Sequence, residues 1–275
     1  MMANENRRVE TADRASLAVW DDESRNEEKP ALLLVSGLGG AAAFWSAIIP
    51  DLSRSFRVIC FDQRGIGAST RGKAACTIDL LAQDCLAVLD ALQVERAIFV
   101  GHSTGGCIGQ SLARQAPERL AGLVLSATWL KPNRYMQALF STRRALLDHD
   151  PKAYAASGSL LGFPPLWLET HWDVYESIVA HPPATAKERR VVSERIEALL
   201  AFDGLSALAA ITMPTLVLGV EDDMIVPAFL QRELAAALPN AQLVMLNDGG
   251  HFYPVSRPGD FVSHVETWWR RHGKK

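Results

Sequence analysis

The segment Gly101-His102-Ser103-Thr104-Gly105 decides the fold. It lies between the apolar run Ala97–Val100, which predicts a buried strand, and Cys107–Ala116, which predicts a helix. The Gly-x-Ser-x-Gly pattern therefore falls in a strand-to-helix turn, where flanking glycines permit a tight backbone that exposes the serine. The helix N-terminus adds positive potential beside it. We interpret Ser103 as a candidate nucleophile.

Short apolar runs alternate with helix-length segments along most of the chain. Amphipathic segments predict helices at Ile78–Leu92, Pro227–Leu238 and Phe261–His272. The apolar runs are continuous, as is typical of strands that helices cover on both faces. These strand candidates are Ala31–Ser36, Arg57–Phe61, Ala97–Gly101, Leu120–Ser126, Thr215–Gly219 and Gln242–Leu246. The alternation predicts an α/β protein with a doubly wound, mostly parallel sheet, preceded by an N-terminal hairpin and a turn at Asp21–Pro30.

One long stretch interrupts this alternation. Residues Lys131–Ala210 carry helical patterns broken by prolines, and they contain no strand run. The stretch is too long for one crossover between neighbouring strands. We interpret it as a helical cap, or lid, inserted over one end of the sheet. The core that contains the sheet would then comprise residues 1–130 and 211–275, and the cap residues 131–210.

Composition limits the classes of function. The chain has 275 residues, 48% of them hydrophobic, and a formal net charge of −3. This charge provides no basic surface for nucleic acid, and no apolar run approaches the ~18 residues that span a bilayer. Met1–Glu10 lacks the apolar core of a signal peptide. We expect a cytoplasmic protein with a small-molecule substrate and no nucleic-acid or membrane partner; a homodimer stays open, since no feature marks an interface.

The cysteines and histidines predict neither disulfides nor metal. No Cys-x-x-Cys pair and no zinc-binding spacing occur, so we expect free thiols, no metal site and no cofactor. The four cysteines are Cys60, Cys76, Cys85 and Cys107. Cys107 lies close to the candidate nucleophile, so the expectation that its thiol takes no part in the chemistry needs a structural test.

A serine hydroxyl needs a base that takes its proton. In strand-to-helix serine motifs an acid and then a histidine follow the serine along the chain. His251 stands in the loop Asp248–Phe252, directly after the last predicted strand, from which it can lean across the strand ends. The other histidines fall in the predicted cap, on the last helix or beside Ser103. We therefore predict His251 as the general base.

The acid is expected directly after the strand Thr215–Gly219, where it would orient the histidine and stabilise its charged form. Three adjacent carboxylates compete there, Glu221, Asp222 and Asp223. The spacing to Pro227 favours Asp223, and Asp222 remains the alternative.

An oxyanion hole requires two backbone N–H groups. One is expected from Thr104, the residue after the nucleophile, and the other from the loop that follows the first buried strand. That loop is Ser36–Gly40, and we assign the second donor to Leu38. Its glycines let the backbone approach a ligand closely, but their spacing does not match a phosphate-binding loop.

Together these motifs resemble the α/β-hydrolase superfamily over nearly the whole chain. The resemblance rests on Ser36–Gly40, Asp62–Ser69, Gly101–Gly106, Gly219–Pro227 and Gly249–His251. It implies transfer of an acyl group from an ester, lactone or amide to water, by way of Ser103, His251 and Asp223 and without a cofactor. It also implies that Asp62, Arg64 and Gly67 have a structural role.

Within the superfamily the chain is similar to 3-oxoadipate enol-lactonases and to aminoacrylate hydrolases of pyrimidine degradation. The motifs of the latter group are the Ser36–Gly40 loop, Asp62–Gly67, Trp129–Lys131 with Arg143-Arg144 further on, and Asp222–Pro227. Ser36 departs from the histidine that many members carry. Two alternatives stay open: a cofactor-free dioxygenase or lyase that uses only the histidine and acid, and a non-enzymatic small-molecule receptor.

The substrate pocket is expected between the carboxyl edge of the sheet and the cap. Three cap arginines, Arg134, Arg143 and Arg144, either bind a substrate carboxylate there or lie on a solvated helix face. The predicted wall residues are aromatic: Phe44, Trp45, Trp129, Phe252 and Tyr253, together with Trp167 or Trp172.

Overall fold

The computed structural model describes residues 7–22, 29–238 and 240–273. The strands are β1 (Arg7–Glu10), β2 (Ser16–Asp21), β3 (Ala31–Val35), β4 (Arg57–Phe61), β5 (Ala97–His102), β6 (Leu120–Ser126), β7 (Thr215–Val220) and β8 (Ala241–Leu246). The α-helices are α1 (Ile49–Leu52), α2 (Ile78–Ala91), α3 (Thr104–Gln115), α4 (Arg134–His149), α5 (Pro151–Gly162), α6 (Pro165–Thr170), α7 (Trp172–Ala180), α8 (Ala186–Ala201), α9 (Ala228–Ala237), α10 (Tyr253–Ser256) and α11 (Pro258–His272). Short 3₁₀ helices span Ala42–Trp45, Pro117–Arg119 and Gly204–Ala210.

The eight strands form one sheet in the order β1-β2-β4-β3-β5-β6-β7-β8. Strands β3 to β8 run parallel, whereas β1 pairs with β2, and β2 with β4, in antiparallel fashion. The predicted α/β class, the mostly parallel sheet and the N-terminal hairpin are confirmed. Part of the predicted turn (residues 23–28) and part of the N-terminal segment (residues 1–6) lie outside the described residues.

Side chains of the central strands alternate between two cores, one on each face of the sheet. On β3, Leu33 packs in a core with α2 and α3, and Leu32 packs in the opposite core with α11. Burial on both faces explains the continuous apolar runs. The edge strand β8 differs, since most of its side chains are only half-buried. The expectation of two covered faces was therefore wrong for Gln242–Leu246.

Between β6 and β7 the described chain forms α4 to α8 and a 3₁₀ helix, with no strand. We call α4 to α8 the cap helices. Their beginnings follow from capping side chains: Asn133 accepts from Met136 N–H at 2.9 Å, and Thr185 with Glu188 forms a capping box. Prolines that seemed to break the pattern stand in the first turn of α5 and α6, where proline is tolerated.

The loop after β4 is held by its own charged residues. The carboxylate of Asp62 accepts from the N–H groups of Ala42 and Ala68, both at 2.9 Å. Gly67 has a φ of +54°, and a Cβ there would lie 2.1 Å from the Asp62 carboxylate. Arg64 forms a buried ion pair with Asp84 at 2.5 Å. These contacts fix the shape of the loop after β4.

In the described part of the chain, no helix is long and apolar enough to cross a membrane. No group of three or more His, Cys, Asp or Glu side chains suited to a metal ion occurs among the same residues.

Candidate active site

Ser103 joins β5 to α3 with a backbone φ of +56° and ψ of −122°, a conformation that non-glycine residues rarely adopt. Its N–H donates to Ser126 O at 2.8 Å, which ties the bend to β6. Glycine is required on both sides, because a Cβ on Gly101 would lie 2.2 Å from Gly105 O and one on Gly105 would lie 2.1 Å from Val35 O. The structure thus places Ser103 in a tight, strained turn at the N-terminus of α3.

The Ser103 side chain lies deeper than the sequence predicted. The residue is only 5% exposed, so the expectation of an exposed serine was wrong. The loop Ser36–Gly40 packs against it closely, since a Cβ on Gly37 would lie 2.9 Å from Ser103 Cβ. The hydroxyl therefore sits beneath a loop rather than on an open surface.

His251 and Asp223 form a buried pair. His251 Nδ1 lies 2.8 Å from Asp223 Oδ2, and both residues are at most 3% exposed. The other carboxylate oxygen accepts from the N–H groups of Ile225 and Val226 at 2.8 and 2.7 Å, which fixes its orientation. Because an ionised carboxylate only accepts, Nδ1 carries the hydrogen and Nε2 is left able to take a proton.

Asp222 has a different partner from Asp223. Its carboxylate accepts from the N–H groups of Gly249 and Gly250 at 3.2 and 2.8 Å. It therefore shapes the loop that carries His251 but does not contact the imidazole. Of the two candidates, the geometry joins Asp223 to the histidine.

The His251 ring lies beside the serine turn. Its centroid is 4.9 Å from that of His102, the residue before Ser103. Among the hydrogen bonds of the described residues, none joins the Ser103 hydroxyl to His251. Catalytic hydrogen bonds are often long in the absence of substrate and tighten when it binds. The structure thus places the His251–Asp223 pair beside the turn that carries Ser103.

His102 packs beside His251, but its polar contact is with β6 and not with Ser103. Its Nδ1 lies 2.9 Å from Ser126 Oγ, and its ring stacks on Phe44 at 4.9 Å between centroids. Burial lowers the pKa of His102 well below the usual value for histidine, and the neighbouring His251 lowers it further. A neutral His102 therefore packs under the site without competing as a base.

The predicted oxyanion donors belong to the serine turn and to the loop packed against it. Thr104 opens α3, where a helix leaves its N–H groups without an internal acceptor. Leu38 belongs to the loop packed against the serine, and neither N–H donates to another described residue. Both amides are free to bind a substrate oxygen.

The structure adds Arg195 of α8, which the sequence analysis did not select. It is 1% exposed, and its Nε donates to Leu38 O at 2.8 Å. Its Nη2 donates to Gly37 O at 3.1 Å and to Gln63 Oε1 at 2.6 Å. The Gly37 carbonyl and the Leu38 N–H belong to the same peptide group. A cation on that carbonyl oxygen orients the group and polarises its N–H.

Two predicted wall residues lie beside the site. Phe44 and Phe252 are half-buried, with ring centroids 6.1 Å apart, and Phe252 lies 5.4 Å from His251. Trp167 stacks on Phe163, which in turn contacts Phe252 at 5.0 Å. Trp167 is therefore one ring away from this pair.

The remaining predicted wall residues are elsewhere. Trp45, Trp129 and Tyr253 have no exposed surface, so their assignment to a pocket wall was wrong. They fill the core because their rings bury more area there than at a pocket surface. The Tyr253 hydroxyl lies 2.6 Å from Ser126 Oγ, within the core. Trp172 is 47% exposed and stacks on Tyr175 at the surface.

Cys107 stands one turn after Ser103 and is fully buried. Burial raises the pKa of its thiol, and the neutral Thr128 hydroxyl lies 3.7 Å from its sulfur. A thiol without a thiolate-stabilising neighbour is a poor nucleophile. Cys107 therefore contributes packing, and all four cysteines are free.

This fold and site define an α/β-hydrolase, and the chain belongs to the alpha/beta hydrolase fold family, which matches residues 30–258. Relatives named "Putative carbamate hydrolase RutD" include that of Stutzerimonas stutzeri, 40% identical over 231 residues, or 83% of this chain and 87% of that protein. The RutD of Azorhizobium caulinodans is 37% identical over 84% of this chain and 87% of its own.

Solved structures show the same fold along almost the whole chain. The enol-lactonase from Burkholderia xenovorans LB400 is 28% identical, with a TM-score of 0.83, over 93% of this chain and 97% of that one. A hydrolase from Pseudomonas aeruginosa PA01 is 35% identical, with a TM-score of 0.85, over 97% and 98% of the two chains. The predicted enzyme class and the resemblance to both groups are confirmed.

Proposed function

We propose that the protein hydrolyses a small carboxylic ester, lactone or amide through an acyl-enzyme on Ser103. The observation that carries this proposal is the 2.8 Å contact between His251 Nδ1 and Asp223, made by a ring that lies beside the serine turn. Buried carboxylate, histidine and strained serine together form the arrangement that activates a hydroxyl for nucleophilic attack.

The reaction proceeds in two steps that share one base. Ser103 Oγ attacks the carbonyl carbon while His251 Nε2 takes its proton, and Asp223 stabilises the resulting imidazolium. His251 then protonates the leaving group, which departs and leaves the acyl group on the serine. Water, deprotonated by His251, attacks the acyl-enzyme and releases the acid.

The negative charge on the tetrahedral oxygen is stabilised by the Leu38 and Thr104 N–H groups. Such preorganised donors are among the largest contributions to catalysis of acyl transfer. Arg195 supports the first donor through the Gly37 carbonyl, and the N-terminus of α3 supports the second. Arg195 is thus a positioning residue for the oxyanion hole.

The names of the relatives narrow the substrate. One group is named carbamate hydrolase and one solved neighbour is an enol-lactonase, so a compact catabolic substrate of the aminoacrylate or enol-lactone type is proposed for this chain. The half-buried rings of Phe44 and Phe252 beside His251 suit a small, partly planar molecule.

The test is a kinetic comparison on a panel of 4-nitrophenyl esters, lactones and amides. We expect Ser103→Ala and His251→Ala each to lower kcat by about 10⁴- to 10⁶-fold, while Ser46→Ala, at an exposed serine, leaves it unchanged. The acid product formed in ¹⁸O-labelled water should carry the label. Label incorporated from dioxygen instead would contradict the hydrolase and identify an oxygenase.

A further inference from the structure

Helix α9 buries a glutamine behind the acid of the site. Gln231 is fully buried and stands next to Leu230 and one turn before Leu234, on the face of α9 that packs in the core. Its Nε2 donates to Val226 O at 2.7 Å, and its Oε1 has no donor in the described part of the chain. A buried acceptor without a partner is costly, so the contacts of Nε2 must hold the side chain in this position.

The second contact of Nε2 is with the acid itself. Gln231 Nε2 lies 3.4 Å from Asp223 Oδ2, the same oxygen that lies 2.8 Å from His251 Nδ1. The other oxygen, Oδ1, accepts from the N–H groups of Ile225 and Val226. Turning the amide over would set its oxygen against Val226 O and Asp223 Oδ2, neither of which can donate, so Nε2 faces both and Oε1 faces away. Oδ2 therefore lies between two side-chain donors, the imidazole and the amide.

Gly219 makes room for this amide. It stands inside β7, where a glycine weakens the strand and often marks a close approach by another group. A Cβ there would lie 2.0 Å from Gln231 Oε1 and 2.7 Å from Met245 Sδ. Because glycine has no Cβ, the amide can lie within reach of Asp223 and Val226. The strand glycine and the unpaired amide oxygen therefore have one common cause, the placement of Nε2.

We propose that Gln231 is a positioning residue that holds Asp223 Oδ2 in place and shares its negative charge with His251. The backbone N–H groups fix one carboxylate oxygen and the amide supports the other, so the carboxylate keeps the orientation that the imidazole requires. Because the amide binds part of the charge, the carboxylate attracts a protonated histidine less strongly. The histidine then stays neutral, and able to take the proton of Ser103, down to a lower pH. This inference rests on the proposed hydrolase function and adds a residue that tunes its base.

Other titratable groups act on this pair from β5, α4, α10 and the loop after β7. Burial, together with the charge of Asp223, raises the pKa of Tyr135 and of Tyr253, so both phenols stay neutral. Burial lowers the pKa of His102, which is neutral as well. Asp222 binds backbone N–H groups and is present in every variant considered below. The acidic limb of kcat/KM against pH therefore reports the histidine and acid themselves.

The test compares the pH dependence of kcat/KM on the best ester of the panel, with spontaneous hydrolysis subtracted. Gln231→Met keeps the side-chain volume and removes the donor. The acidic midpoint should rise by about 0.4 to 1 pH unit, which is the equivalent of one hydrogen bond of ordinary strength. On the plateau, kcat should fall about 2- to 10-fold, because Oδ2 is less well held.

Gln110 of α3 offers a matched control. It is also fully buried, its Nε2 donates to Gly106 O and Trp129 O at 3.3 and 2.9 Å, and its Oε1 has no donor among the described residues. Gln110→Met therefore removes the same amide from an equally buried place, where it binds backbone carbonyls and no carboxylate. The free energy of unfolding should fall by a similar amount in both variants, but the acidic midpoint should move only in Gln231→Met.

A second variant keeps the amide and displaces it. In Gly219→Ala the new methyl group overlaps Gln231 Oε1, so Nε2 must shift and the acidic midpoint should again rise. A midpoint that is unchanged or lower in Gln231→Met or in Gly219→Ala, or that rises equally in Gln110→Met, overturns the positioning role. Undiminished hydrolysis by Ser103→Ala would instead overturn the hydrolase function itself.

Discussion

Replacing Arg195 by methionine removes a buried cation from the back of the oxyanion loop while keeping most of the side-chain volume. Three hydrogen bonds are lost, to Leu38 O, Gly37 O and Gln63 Oε1. The Gly37 carbonyl still accepts from Gly40 N–H at 3.0 Å, and Gln63 still donates to Ser36 O at 2.7 Å and to Gly40 O at 2.9 Å, so the loop keeps its other contacts. The Leu38 N–H is therefore still present, but it is less well oriented and less polarised.

The size of the effect follows from these contacts. Complete loss of one oxyanion donor costs about 10²- to 10³-fold in kcat. Because the donor is weakened rather than removed, we expect kcat to fall about 10- to 100-fold, or about 1.4–2.8 kcal/mol of transition-state stabilisation. KM should change little, since the loss is confined to the transition state. Stability should fall by only about 1–3 kcal/mol, because relief of the buried charge offsets part of the lost hydrogen bonding.

The assay is steady-state kinetics on the best ester of the panel, together with urea unfolding of the same preparations. The matched control is Arg190→Met on the same helix, whose side chain is 74% exposed and pairs with Glu194. The control should alter kcat by less than about twofold and stability by about 0.5 kcal/mol or less. A folded Arg195→Met protein with wild-type kcat would refute the positioning role.

Two further predictions concern the acid and the neutral histidine. Asp223→Asn should lower kcat about 10⁴-fold, as expected when the histidine loses its correct tautomer. Asp222 holds only the loop, so Asp222→Asn should lower kcat about 10-fold or less. A larger loss of kcat in Asp222→Asn than in Asp223→Asn would assign the acid to Asp222. Burial lowers the pKa of His102, so below about pH 6.5 the unfolded state takes up a proton that the native state refuses. The free energy of unfolding should therefore fall by up to about 1.4 kcal/mol per pH unit as the pH drops from 6.5. In urea titrations between pH 5 and 7, His102→Gln should reduce this dependence on pH. An unchanged dependence would contradict the lowered pKa of His102.

The sheet and the serine turn were predictable from the sequence because local patterns determine them. Continuous apolar runs reflect burial on both faces of the sheet. The glycines around Ser103 reflect backbone atoms that lie too close for a Cβ at those positions. The position of His251 followed from the order of the motifs. For its acidic partner the spacing favoured Asp223 and kept Asp222 as the alternative, and only the three-dimensional structure shows that Asp222 binds Gly249 and Gly250 instead.

The rest of the site depends on tertiary packing, which spacing does not encode. Trp45 and Trp129 are aromatic and near the motifs, but whether such a ring faces a pocket or the core depends on which helices cover it. For Arg195, the sequence of α8 does contain an indication of its role. It stands among Val191, Ile196 and Leu199 on the buried stripe of α8, and a charged residue on such a stripe needs polar partners. Only the fold shows that those partners are the Gly37 and Leu38 carbonyls and the Gln63 side chain.

The most direct test of the central claim is covalent labelling of the purified protein with a fluorophosphonate, read by intact mass and peptide mapping. The strained serine, with His251 beside it, predicts addition of one phosphonyl group at Ser103, and loss of labelling in Ser103→Ala and His251→Ala proteins that remain folded. Two results would contradict the acyl-enzyme mechanism. One is hydrolysis of the panel esters by wild-type protein whose Ser103 does not react with the fluorophosphonate. The other is hydrolysis by Ser103→Ala at the wild-type rate.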